Sequence, residues 1–306
     1  MNSKNYRNPT VRKTQFCVST NGELMDFLLQ KMGGMSRTSV KNLLSHRQIF
    51  VNDKIITQYN YQLVENDKVA VSSARGNIEL SHPKLRILFE DSYIIVVEKK
   101  HGLLTVSTGK SEETTAFSIL KNYVKKQSPK NHIYIVHRLD RDTSGVLVFA
   151  KSREIQLALQ ENWHTIVKRR TYFAVVEGVM PKQEDTVITW LKENPKSLKI
   201  HSSNTNDGGQ KAVTHYKSIK TNEKFSLLEI NLETGRKNQI RVHLQELGHP
   251  VVGDKKYNSQ INIIGRMALH AAILEFQHPQ TKKMVCFQSP MPKEFTRLLR
   301  QNKVVY

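Results

Sequence analysis

Apolar positions follow two different periods along the chain, and the change falls near residue 80. From Phe16 to Val71 the spacing is first helical: Leu24, Phe27, Leu28 and Met32 make one amphipathic stripe. Ser36 can cap a second helix, on which Val40, Leu43 and Leu44 face inward while Arg37 and Lys41 lie on the other side. Ile49 and Val51 then lead into an Asn52-Asp53 turn, the chain returns through Ile55 and Ile56, and Val69 with Val71 closes the unit. Beyond residue 82 short strand-like runs dominate. They are Ile87 to Phe89, Ile94 to Val97, Ile133 to Val136, Val146 to Ala150, Tyr172 to Val176, Val187 to Leu191, Val213 to Ile219 and Phe225 to Leu232, with one helix face traced by Ile155, Ala158, Leu159, Asn162 and Trp163. This pattern predicts an α+β fold: a large, mostly antiparallel β-sheet domain with flanking helices over residues 83–306, and a small N-terminal α/β domain over 16–72. Residues 1–15 read as a flexible basic arm and 73–82 as a linker.

One polar stretch interrupts the strand-like runs. His137 to Gly145, His-Arg-Leu-Asp-Arg-Asp-Thr-Ser-Gly, sets Asp140 among bases in a loop carried between two sheet segments. Asp140, Asp142, Ser144 and Gly145 mimic the opening of a calcium loop, but the twelfth residue, which should be a bidentate Glu, is Lys151. Taken alone the loop reads equally well as a solvated, self-paired surface segment.

A second motif decides between these readings. Within Glu233 to Asp254, Ile240, His243, Leu244 and Leu247 keep helical spacing, Thr234 and Gly235 precede the first turn, and Gly248 with Pro250 closes the last. Arg236, Gln239 and Arg241 crowd the N-terminal end of that helix, off the apolar stripe. Cations there oppose the helix dipole, so an anion that they meet explains them better than helix stability does, and Asp140 is the anion expected.

Together the segments resemble the RluA-type family of RNA pseudouridine synthases over nearly the whole chain. The family's His-Arg-Leu-Asp followed by Thr-Ser-Gly stands here at His137 to Asp140 and Thr143 to Gly145. Its tyrosine motif looks like Arg170 to Gly178, with Tyr172, and its third motif matches Thr234 to Arg236, Gln239 to Arg241, Gly248 to Pro250 and Gly253 with Asp254. Three departures stand out: Lys99-Lys100-His101-Gly102 where the family has Lys-Pro-Ala-Gly, Asn238 for a usual His, and Arg170 for a common Lys. The order of elements over residues 16–72 is similar to the small RNA-binding domain named after a small-subunit ribosomal protein, whose basic helix face would carry Arg37 and Lys41.

The resemblance implies an isomerase that breaks uridine's bond from the anomeric carbon to the ring nitrogen, turns the uracil over and rejoins it through carbon five. No group or electron leaves, so no cofactor and no metal is expected. Asp140 would act at the anomeric carbon, as nucleophile or as base toward a glycal; Arg241 would pair with it and favour its charged form. Tyr172 would pack against the uracil and help remove the carbon-five proton. His137, Arg138, Arg141, Thr143, Ser144, Arg236 and Gln239 are the expected substrate and RNA contacts, with Arg141 supporting the everted nucleotide.

Composition agrees with a polyanionic partner. The 306 residues carry Lys+Arg 47 against Asp+Glu 27, a formal net charge of +20, and both portions of the chain share the excess. Two distant cysteines, Cys17 and Cys286, in no metal-ligand spacing, suit a reducing cytoplasm. Residues 1–14 lack the apolar core of a signal peptide, and no apolar run approaches membrane-span length. Gly109-Lys110-Ser111 is not a phosphate-binding loop, because Leu104 stands where the first Gly belongs, and His270 and His278 read as structural. The expectation is therefore a monomeric RNA pseudouridine synthase acting on large-subunit ribosomal RNA. The alternatives are an inactive synthase domain retained as an RNA-binding or ribosome-assembly factor, and a synthase acting on transfer RNA. An RNA methyltransferase would need a Gly-rich cofactor loop after a strand, which the sequence lacks.

Overall fold

A computed structural model describes residues 13–72, 80–107 and 113–300. The outer part of the N-terminal arm (1–12), most of the linker (73–79) and Gly109-Lys110-Ser111 lie outside the described residues. The chain divides into two compact units, residues 1–79 with 122–131, and residues 80–121 with 132–306.

In chain order the first unit holds β1 (Lys13–Cys17), β2 (Gly22–Glu23), α1 (Leu24–Lys31), α2 (Arg37–Ser45), β3 (Ile49–Val51), β4 (Lys54–Ile55), β5 (Gln62–Leu63) and β6 (Lys68–Ser72). Its strands form a sheet in the order β1-β6-β3-β4, with β2 and β5 paired separately. Ser36 caps α2 as expected, its hydroxyl accepting from the Ser39 amide at 3.2 Å. Asn52 and Asp53 both take positive φ, 48° and 63°, which is what a tight two-residue hairpin turn demands. Leu24, Leu28, Val40, Leu44, Ile49, Val51, Val69 and Val71 share one core. One expectation is corrected. Lys13 to Gln15 are not part of an arm; they belong to β1, which pairs antiparallel with β6, Phe16 opposite Val69.

The second unit begins with β7 (Leu85–Glu90) and β8 (Ile94–Lys99), after which α3 (Ala116–Gln127) starts in it and ends in the first. There follow β9 (Tyr134–Ile135), β10 (Ser144–Ala150), α4 (Arg153–Glu161), α5 (Trp163–Ile166), β11 (Val167–Glu177), β12 (Glu184–Glu193), β13 (Ile200–Ser203), β14 (Gln210–Thr221), β15 (Phe225–Leu232), α6 (Gln239–Glu246), β16 (Leu269–Gln277), β17 (Met284–Gln288) and α7 (Lys293–Leu298). The sheet runs β13-β12-β14-β15-β11-β16-β10-β8-β7, with β17 beside β16 and β9 beside β10. All these pairings are antiparallel except β10 with β16.

The sheet's centre explains its sequence. Every residue of β10 is buried, so this strand is covered on both faces and reads as an unbroken apolar run. The outer strand β12 alternates instead. On one edge of β16, β10 pairs only at His270 and Ala271 and β17 takes over from Ile273, so the sheet forks there. The fork is tight at Gly145, where φ is +120° and an added Cβ would stand 2.0 Å from the Ala271 carbonyl oxygen. Gly145→Ala is therefore expected to part β10 from β16 and destabilise the protein by more than about 4 kcal/mol. A urea midpoint within error of wild type would contradict this account of the fork.

Candidate active site

The loop 137–143 ends at the fork, and α6 begins beside β13 and β14. Between them opens a cleft of about 470 Å³. β16 lies between β10 and β11 and lays Leu269, Ala271 and Ile273, successive residues of one face, along its lining. Asp140, Tyr172 and Arg241, separated by up to 101 residues, line the same cleft. Tyr172 stands opposite Ala271 across the β11–β16 pair, next to a register shift, and the small neighbour leaves room beside the phenol ring.

Arg241 is the electrostatic centre. Its Nη1 donates to Asp140 Oδ2 at 2.8 Å, while Nε and Nη2 donate to the two oxygens of Asp254 at 2.6 and 2.8 Å. Asn238 Oδ1 accepts from Nη1 at 3.1 Å, and the guanidinium lies 4.9 Å from the centre of the buried Tyr257 ring. One planar fork thus serves two carboxylates, which a lysine could not do. Burial opposes the charge on Arg241, but the bonds and Coulomb attraction of Asp254, with Asp140 adding to them, outweigh it and hold the group above the usual arginine range. Asp254 is only 2% exposed and Asp140 27%, so one carboxylate anchors the arginine and the other faces the cleft. The helix start that permits this is irregular: Asn238, with φ of +56°, turns the chain into α6, and its amide donates to the Tyr257 hydroxyl at 2.9 Å.

Around this pair, Tyr172 is a neutral phenol. Burial pushes its pKa up; Arg170 opposes that and Asp140 adds to it. Arg170 Nη2 donates to the carbonyls of Leu232 and Glu233 at 3.1 and 2.5 Å, and an added Cβ on Gly235 would meet its Nη1 at 2.8 Å, so Gly235 is the residue that lets this guanidinium into the cleft.

The sequence profile described as RNA pseudouridylate synthase matches residues 93–246, and that of the S4 domain matches residues 24–69. The chain belongs to the RNA pseudouridylate synthase family. Similar proteins include the uncharacterized RNA pseudouridine synthase YhcT of Bacillus subtilis, 32% identical over 87% of this chain and 88% of that one. Ribosomal large subunit pseudouridine synthase D of Nitrosomonas europaea is 30% identical over 89% of this chain and 82% of that one. Among solved structures, human RNA Pseudouridylate Synthase Domain Containing 4 superposes with a TM-score of 0.57 at 23% identity, covering 69% of this chain and 90% of that one, a likeness of fold. The protein is thus an RNA pseudouridine synthase with an N-terminal S4 domain.

The other expected contacts of the synthase divide into those at the cleft and those spent elsewhere. Arg138 is exposed and lines the cleft, as does the half-exposed Arg236, whose Nε also donates to the Lys211 carbonyl at 3.2 Å. Thr143 lines it too, largely buried. Ser144 is corrected: it is buried, its hydroxyl held by Arg266 at 2.6 Å and His270 at 2.8 Å, so it braces the fork and is not an RNA contact. Gln239 borders the cleft, but its amide is consumed within the fold, accepting from Thr234 and the Arg236 amide and donating to Val213 and Thr214. Arg141 does not line the cleft; it pairs with Glu113 at 2.8 Å. In the S4 domain Arg37 is exposed and pairs with Asp26 at 3.2 Å, and Lys41 lies over Tyr59, 5.4 Å from the ring centre.

Sequence reasoning missed Lys99, which is fully buried. Its ammonium donates to the carbonyls of Lys100, Leu103 and Arg141, tying the loop after β8 to the loop that carries Asp140. Burial pushes its pKa down to about 7. The signal was available in the apolar run Ile94 to Val97 that leads into it. Asp254 stands in the third motif, but only the fold shows it as the buried partner of Arg241.

Three histidines of the synthase are held neutral by burial: His137, pushed down to about 3 with Arg170 contributing, and His243 and His270, each pushed down to about 4. The unfolded chain takes up protons on these rings near pH 6.5, whereas the folded chain does not. The unfolded state therefore binds more protons between about pH 6.5 and 4, and stability falls as pH drops through that window, by up to about 1.4 kcal/mol per unit for each ring. Urea midpoints flat between pH 7 and 5 would refute this.

Proposed function

We propose that the synthase modifies large-subunit ribosomal RNA, that Asp140 attacks or deprotonates at the ribose of an everted uridine, and that Arg241 and Tyr172 complete the site. The observation that carries the reading is the 2.8 Å pair between Arg241 and an Asp140 that still faces an open, cation-rimmed cleft. Isomerisation needs one anionic group beside the anomeric carbon and a wall against which the freed uracil can turn without escaping. Asp140 supplies the first, and Tyr172, with Leu269, Ala271 and Ile273 along the lining, supplies the second. Eversion costs a few kcal/mol of unstacking, which Arg138 at the cleft is placed to offset through phosphate contacts; Arg141, paired with Glu113, is the weaker candidate.

The choice of ribosomal RNA rests on the printed names of relatives such as synthase D of Nitrosomonas europaea and Neisseria meningitidis, and on the S4 domain, whose Arg37 and Lys41 present cations on one helix face. That Asp140, Tyr172 and Arg241 belong to one chain supports action as a monomer, and two exposed, free cysteines are in keeping with the cytoplasm. Among the described residues no helix is long and apolar enough to cross a membrane. The test is tritium release from RNA labelled at carbon five of uridine, prepared from cells that lack the protein. The purified synthase should release label from the large-subunit fraction; release confined to transfer RNA would move the target, and none from any fraction would favour an RNA-binding factor.

A further inference from the structure

The cleft that holds Asp140 is also lined by an aromatic pair to which the isomerisation step itself assigns no role. Trp163, at the start of α5, and His137 stack with ring centres 4.9 Å apart and planes at 38°, and both line the cleft together with Gln160. Backbone contacts fix the wall. His137 Nε2 accepts from the Val148 amide at 3.2 Å, which places the ring hydrogen on Nδ1, and the Gln160 amide donates to the carbonyls of Ile135 and Val136 at 3.1 and 3.0 Å. Neither His137 Nδ1 nor Gln160 Oε1 has a partner among the described residues. Trp163 packs in part against the core of β8, β10 and β16 and against the His137 ring, yet it is only partly buried, and its remaining side lines the cleft.

The neighbours indicate what covers that side. Arg138, Arg170 and Arg236 border the same cleft, so an occupant must carry compensating negative charge beside a flat apolar face, which is the chemistry of a nucleotide. We propose that Trp163 is the stacking platform for a second nucleobase, a neighbour of the everted uridine in the same RNA strand. His137 and Asp140 are three residues apart, so their backbones lie within about 10 Å, a span that adjacent nucleotides of an unstacked strand can bridge. His137 Nδ1 and Gln160 Oε1 offer a donor and an acceptor at the rim of this subsite.

This inference rests on the synthase reading of the Asp140 site, and its test separates the two. The chain has two tryptophans, so Trp190→Phe leaves Trp163 as the sole indole reporter. In that protein, RNA from cells lacking the synthase should quench Trp163 emission in step with binding followed on filters, whereas uridine monophosphate, which reaches only the Asp140 end, should not. Trp163→Leu should raise KM for that RNA roughly tenfold with kcat little changed, and Trp163→Phe, which keeps an aromatic face, should restore KM. A thermal melt of each variant reports any loss from the core. Emission that stays constant while RNA binds, or no RNA binding at all, overturns the subsite, as does a KM for Trp163→Leu equal to that of wild type. Quenching without tritium release would sink the synthase reading of Asp140 and leave an RNA-stacking site; release without quenching would do the reverse.

Discussion

Asp140→Asn will lose at least about four orders of magnitude of tritium release while keeping its fold and its grip on RNA. The substitution keeps the shape of the side chain and removes only the charge that must approach the ribose. Arg241 is not orphaned, because both oxygens of Asp254 continue to hold it, so stability should change by no more than about 1 kcal/mol. RNA affinity should stay level or rise slightly, since one negative charge leaves a cationic cleft. Filter binding and label release on the same preparation check both halves. Residual isomerisation within tenfold of wild type would show that another group does the work.

Arg241→Ala should damage activity and stability together, for separate reasons. Asp254, 2% exposed, would be left as a buried and largely uncompensated carboxylate, a loss of about 3 to 5 kcal/mol. Asp140, more exposed, would lose its charge-assisted bond and its orientation, and label release should fall by about a thousandfold or more. Arg241→Lys distinguishes the two losses: a single ammonium can satisfy Asp254 or Asp140 but not both in fork geometry, so stability should recover in part and activity should not. A double-mutant cycle with Asp254→Ala should return a coupling of several kcal/mol between residues 241 and 254. Additive effects would mean that the buried pair is not the anchor.

Much of this site is legible in the chain because its residues sit in local patterns. The loop around Asp140 lies between two apolar runs that became β9 and β10, and Ile240 and Leu244 are buried on the stripe that sets the face of α6. The stripe's last expected member, Leu247, is 37% exposed, since the helix ends one residue earlier. Cations at the start of α6 signalled an anion, and Asp140 is one of the two that Arg241 meets. The other, Asp254, escaped because no local pattern announces a buried acid whose partner lies on a helix 13 residues earlier. Ser144 and Gln239 misled in the opposite way: polar residues in a motif look free for RNA, and only the packed fold reveals that every polar atom is already spent on Arg266, His270, Thr214 or the backbone.

The sequence by itself determined the two-part organisation, the β-rich character of the larger unit and the turn at Asn52-Asp53, each through periodicity or turn chemistry within a short window. Asp140, Tyr172 and Arg241 were nominated by motifs that resemble the family's. The tertiary structure alone decided which strands flank β16, how closely Gly145 meets Ala271, and which of two carboxylates faces the cleft. It also brought Trp163 and His137 into contact. Those are matters of burial and long-range closure, where distances between residues far apart in the chain are set by how the whole sheet packs, and no local pattern encodes them.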